Sequence, residues 1–161
     1  MKITLLCLGR NKESHIRAAV DEYLKRIGPY ADIEPVYIPD IPLSGTNNPE
    51  LVIRQEGTRI SKYLDEKQKS HNRPPFIIGL DARGKMFSSE ELAVFLDNRL
   101  QERDLILIIG GVYGLAAEVK ERVDMLLSLS RMTFTHQMVR ILILEQIYRA
   151  FTINRGKKYH Y

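Results

Sequence analysis

A chain of 161 residues with 44% apolar content is the size of one domain, residues 1–161, and carries enough apolar side chains to bury a core. No run of 18 apolar residues occurs, which excludes a membrane-spanning helix. The single cysteine, Cys7, excludes an internal disulfide and a cysteine-based metal site and fits a reducing cytoplasm.

The first nine residues read as a strand, not a signal peptide, with residues 2–8 as a buried run. Residues 14–27 place Ile16, Val20, Tyr23, Leu24 and Ile27 on one helical side, and Gly28-Pro29 stops the helix. Ile33 to Ile38 is a second strand, followed by a loop from Pro39 to Asn48. Asn48 suits an N-cap and Pro49 the first helical position, so a helix is predicted over 49–68. Phe76 to Leu80 is a third strand, and Ser88 with Glu91 offers a capping box for a helix through Leu100. Asp104 to Ile109 is a fourth strand, 116–126 a helix and 127–134 strand-like. The last helix, 136–151, is apolar almost all round, which fits either a central position or a face shared with a partner subunit. Strands spaced by helices predict a single-domain α/β fold with a mainly parallel sheet.

Ligands of such sheets bind outside the carboxyl ends of the strands. Leu80-Asp81, Gly110-Gly111 and Ser130 to Thr135 are therefore candidate ligand loops. Gly79 to Lys85 has the spacing of a phosphate-binding loop, but Met86 stands where a hydroxyl would meet Mg²⁺, which argues against ATP. Gly110, Gly111 and Gly114 let a ligand approach the backbone closely, and Gly114 is placed to open a helix. Thr135 is a predicted N-cap, and His136 in the first turn is favoured in its neutral form. The four histidines show no metal-ligand spacing, so no metal is expected.

The net charge of +4 is unevenly placed. Residues 131–161 hold six Lys and Arg residues against the single acid Glu145, which leaves the rest of the chain slightly acidic. This end finishes in Arg155, Lys157, Lys158, Tyr159, His160 and Tyr161, a pairing of cations with aromatic rings suited to phosphates and bases. Backbone-rich loops for an adenosine-type ligand, beside a tail for an anion, suggest an enzyme that brings a cofactor to a nucleic acid.

Three segments carry a resemblance: Ile108-Ile109-Gly110-Gly111 with Gly114-Leu115; Leu127 to Arg140 with its Met132-Thr133-Phe134 and His136-Gln137; and Glu145-Gln146 with Tyr148 to Phe151 and Tyr159-His160. Together they resemble the RlmH family, SPOUT-class methyltransferases of large-subunit (23S) ribosomal RNA. The resemblance implies a C-terminal trefoil knot, which physical rules alone would not suggest. It also implies a cytoplasmic homodimer, S-adenosyl-methionine as cofactor, and methylation of N3 of a pseudouridine in helix 69 of the 23S rRNA of assembled ribosomes. Carried onto this chain, Leu80, Gly110, Gly111, Leu129, Ser130, Arg131, Met132, Thr133 and Phe134 are expected to hold the cofactor. Arg155, Tyr159 and His160 are expected to contact substrate, with His160 and Arg140 as catalytic candidates. Thr135 replaces the family's usual proline, and Tyr113 is bulkier than usual in the glycine loop. The alternatives are a non-catalytic ribosome-binding module that keeps the fold, a methyltransferase of another RNA position, and a nucleotide-dependent enzyme using Gly79 to Lys85.

Overall fold

A computed structural model describes residues 2–42, 48–70 and 73–159. Ten elements alternate along the chain: β1 (Lys2–Leu8), α1 (Ser14–Ile27), β2 (Asp32–Ile38), α2 (Pro49–Ser70), β3 (Phe76–Met86), α3 (Ser89–Glu102), β4 (Leu105–Ile109), α4 (Ala117–Lys120), β5 (Met125–Ser128) and α5 (His136–Asn154). The five strands form one sheet in the order β2-β1-β4-β3-β5, and every pair is parallel.

Alternation along the strands divides the core. Ile3, Leu5, Ile78, Leu105 and Leu107 face one side and meet α1, α3 and α5. Leu6, Leu8, Ile77, Ile106 and Ile108 face the other and meet Ile60 and Leu64 of α2 and Val119 of α4. Covering both faces is why the central strands read as unbroken apolar runs. The same packing explains α5. Its Ile143, Leu144, Ile147 and Ala150 lie in the core between α1 and α3, so most of its apolar circumference is used within the chain.

The predicted caps form. Asn48 accepts from the amides of Glu50 and Leu51 at 3.0 and 3.3 Å. Ser88 and Glu91 make the reciprocal capping box, and Thr135 accepts from the Met138 amide at 3.3 Å. No helix among the described residues is long and apolar enough to cross a membrane.

Three local expectations are corrected. The strand predicted to end at Leu80 runs on to Met86, pairing with β5 at 78–80 and again at Lys85 and Met86, with residues 81–84 bulged between. The phosphate-loop spacing is thus embedded in a strand, and Lys85 lies 4.6 Å over the Phe87 ring. The helix predicted over 116–126 shrinks to α4, because β5 begins at Met125 and extends only to Ser128. Past that point the Ser128 hydroxyl shares its one hydrogen between the carbonyls of Ala82 and Ser130, at 3.1 and 2.9 Å, and the Ser130 hydroxyl accepts from the Met132 amide. Such side-chain bonds compete with a strand ladder and turn 129–135 into a loop.

Candidate active site

Strand β4 lies at the centre of the sheet and ends at Ile109, where the chain must turn away from the loops beside it. It does so through Gly110 and Gly111. Gly111 and Gly114 form an isolated bridge, with the Gly114 amide donating to the Gly111 carbonyl at 3.1 Å and Gly114 at φ +83°. A helix does not start at Gly114 as expected; the residue instead takes the left-handed turn conformation that glycine adopts without strain. Opposite this turn stand the bulge of β3 and the loop after β5. Together they enclose a cavity of about 1050 Å³ at the carboxyl ends of β3, β4 and β5.

Of the nine predicted cofactor residues, eight line this cavity: Leu80, Gly110, Gly111, Leu129, Ser130, Met132, Thr133 and Phe134. Arg131 lies in the same loop but is not part of the lining. Arg155 and Tyr159 lie away from the cavity, on the surface made by α1 and α5. The Arg155 guanidinium sits 4.9 Å over Tyr30, and Tyr159 stacks edge-on to Tyr148 at 4.7 Å. His160 falls outside the described residues.

Arg140 is a correction. Its side chain is 1% exposed and turned inward, donating to Asn11 Oδ1 at 2.6 Å and to the Leu8 carbonyl. A guanidinium committed in this way ties the end of β1 to α5 and does not present itself to a phosphate or base.

The structure adds polar groups to the wall. Asp81 pairs with Lys120 at 2.6 Å, and both line the cavity. Burial would raise the Asp81 pKa, but Lys120 and the Arg83 amide outweigh it and hold the carboxyl below its ordinary value. The strand-end rule reaches Asp81 in the sequence, whereas nothing there joins it to a lysine 39 positions away. His136 is half-buried, and burial first, then Arg140, push its pKa below 6.5. The amides of the first turn of α5 act in the same direction. Stability linked to His136 is therefore present above pH 6.5 and is lost as pH falls through the lowered folded value. Thermal melting from pH 8 to pH 5 should drop more in the wild type than in His136→Asn; equal slopes would contradict a buried neutral imidazole.

The wall suits a nucleoside with an amino-acid arm. Its volume is at the upper end for small-ligand pockets. Gly110 and Gly111 expose backbone, Leu80 and Leu129 offer apolar surface, and Asp81, Lys120 and His136 supply a few polar contacts. Among the described residues no group of three His, Cys, Asp or Glu side chains is placed to hold a metal ion.

A parallel α/β sheet with its cavity at the strand ends, walled by a glycine turn and the loop after the last strand, is placed to hold a ligand by backbone contacts. A family model described as "Predicted SPOUT methyltransferase" matches residues 1–160, and the chain belongs to the SPOUT methyltransferase family. Its relatives include proteins named ribosomal RNA large subunit methyltransferase H. The one from Symbiobacterium thermophilum is 47% identical over 165 aligned residues, covering 99% of each chain. The one from Syntrophotalea carbinolica is 44% identical over 162, again covering 99% of each. Among solved structures, the tRNA (m1G37) methyltransferase from Aquifex aeolicus superposes with a TM-score of 0.55 at 17% identity, over 92% of this chain and 70% of that one. A probable methylase family protein from Haemophilus influenzae Rd KW20 gives 0.54 at 16% identity, over 98% and 67%. At these identities the two structures share the fold.

Proposed function

We propose that this protein is an S-adenosyl-methionine-dependent methyltransferase that acts on N3 of a pseudouridine in helix 69 of 23S rRNA, as a cytoplasmic homodimer on assembled ribosomes. The observation that carries the reading is the end-to-end match to proteins named ribosomal RNA large subunit methyltransferase H, joined to a strand-end cavity built from the residues expected to hold a cofactor. The trefoil knot belongs to the same proposal. Large apolar side chains rim the cavity (Val112, Tyr113, Met132, Phe134 and Met138, all exposed in the single chain), and they support a homodimer. Sedimentation at micromolar concentration should give twice the mass of one chain; a monomer would refute the dimer.

The cofactor, when bound, supplies an electrophilic methyl group on a sulfonium, so no metal is needed to activate it. The chain's own residues must place the target nitrogen in line and give its proton somewhere to go. The glycine turn and the 129–134 loop fix the ligand by backbone contacts. His136, kept neutral, leaves the cavity free of one further cation. Tyr159 is assigned to the base and Arg155 to the RNA backbone, reaching the partner's cavity across the dimer. His160 orients the base or accepts the imide proton. His160→Ala should slow methyl transfer by about 10²-fold or more, within the range of general acid–base catalysis; an unchanged rate would remove His160 from the mechanism.

The decisive experiment follows labelled methyl from S-adenosyl-methionine into ribosomes from cells lacking this protein, with deproteinised rRNA in parallel and the labelled base mapped. Label at one pseudouridine, on ribosomes and not on free RNA, is the expected result. Label elsewhere would reassign the target. Ribosome binding without cofactor binding would favour a non-catalytic module.

A further inference from the structure

Glu56 is a buried carboxyl beside the glycine turn that forms no ion pair among the described residues. It projects from α2, is 3% exposed, and leaves Oε2 buried with no hydrogen-bond partner. Its Oε1 accepts only a long bond from the Ile41 amide, at 3.4 Å, and no cation among the described residues is in ion-pair contact with it. A Cβ built on Gly111 would come within 2.4 Å of Oε2, so the carboxyl lies directly against the turn. The arrangement is held firmly: a Cβ on the next residue, Gly57, would meet Ala116 Cβ at 2.6 Å and Glu118 Oε1 at 2.7 Å.

Glu56 also lines a smaller chamber of about 240 Å³, which shares Gly111, Val112, His136 and Gln137 with the main cavity. The charged and titratable groups around it come from every neighbouring segment. Arg10 and Lys12 follow β1, Asp40 follows β2, and His136 opens α5. Arg59 lies on α2 and Glu118 on α4. Most are already engaged: Lys12 pairs with Asp40 at 3.7 Å, and Arg59 donates to the carbonyls of Pro39 and Asp40. Desolvation, the largest influence, raises the Glu56 pKa, and Asp40 adds to it, outweighing the opposing pull of the Ile41 amide and of Arg59.

Burial disfavours the charged form of a carboxyl unless a cation is placed against it, so a cationic ligand group seated at this turn would stabilise the ionised Glu56. We propose that Glu56 is the counter-charge for the sulfonium of the ligand held by the glycine turn, and so sets a preference for S-adenosyl-methionine over its product, S-adenosyl-homocysteine, which keeps the ammonium and carboxylate of the amino-acid arm but has no sulfonium. This rests on the methyltransferase reading. The two ligands differ at one sulfur, a sulfonium before transfer and a neutral thioether after it. A fixed negative charge behind Gly111 favours the first and is indifferent to the second. Loss of that attraction on transfer helps the product leave.

The test is calorimetric binding of both ligands to the wild type and to Glu56→Gln, which keeps shape and removes charge. Glu56→Gln should weaken S-adenosyl-methionine by about tenfold, the order expected for losing one screened charge contact, and change S-adenosyl-homocysteine by less than about twofold. Equal effects on both ligands, or none, would overturn the proposal. Should Gln destabilise the fold, Glu56→Asp carries the test. Its charge is drawn back by one methylene, so the ratio of the two affinities must still fall, and an unchanged ratio would overturn the assignment. A wild type that binds neither ligand would refute the methyltransferase reading itself, which is a separate outcome.

Discussion

Gly110→Ala should abolish binding of S-adenosyl-methionine in a chain that remains folded. A Cβ at this position would stand 2.7 Å from the Gly114 carbonyl carbon, 2.9 Å from its oxygen and 3.0 Å from the Leu115 amide nitrogen. All three atoms are backbone, so no rotamer change can relieve the contact. The turn from 110 to 115 must open, which breaks the Gly111–Gly114 bridge and moves the cavity wall contributed by β4. The strand itself is buried over its whole length and lies between β1 and β3, so the core survives. The expected loss of affinity is at least 100-fold, about 2.7 kcal/mol. Calorimetry with circular dichroism as the folding control decides it; binding within fivefold of wild type would show that the ligand does not rest on this turn. Gly114→Ala separates space from conformation. Nothing lies within 4 Å of a Cβ there, but φ is +83°, so its cost is conformational strain of about 1–2 kcal/mol, not a collision.

Arg140→Ala is expected to have the largest effect on stability. The guanidinium lies within the fold, donating to Asn11 and the Leu8 carbonyl and sitting 5.8 Å from the Tyr37 ring centre. Truncation leaves a void and strands two buried acceptors, each worth about 1–3 kcal/mol when unpaired. The sum is roughly 3–5 kcal/mol, a fall in melting temperature of about 10 °C for a chain of this size. Arg140→Lys should fall between the two, because a single ammonium cannot serve both acceptors in the same fork. Melting within 3 °C of wild type for Arg140→Ala would contradict this role. The residue joins the end of β1 to the first turns of α5, so weakened cofactor binding should accompany the loss of stability.

Much of the scaffold was legible from local patterns. The caps at Asn48, Ser88 and Thr135 use side chains within three residues of the amides they satisfy, so short-range chemistry fixes them. The buried strands announced themselves as apolar runs because helices cover both faces of the sheet. The cavity-forming loops were legible for a general reason, since strand ends in parallel sheets collect ligands. What misled was also local. Apolar residues from 116 to 126 fit a helix pattern, but β3 offered an unpaired edge with which Met125 to Ser128 could form a ladder. The glycine and lysine at 84 and 85 imitated a phosphate loop because their spacing carries no information on whether a strand runs through them.

By itself, then, the sequence determined the α/β class, the parallel sheet, the capped helix starts at Asn48, Ser88 and Thr135, and the loops that line the strand-end cavity. Each depends on residue type and on neighbours a few positions apart, and the family motifs lie in those same loops. Only the tertiary structure decided which way Arg140 faces, that Asp81 meets Lys120, and that Glu56 lies against Gly111 with no ion pair among the described residues. The partners in these contacts are separated by 39 to 132 residues. Long-range packing sets whether a charged side chain reaches solvent, a counter-charge or a buried carbonyl, and no local pattern records that choice.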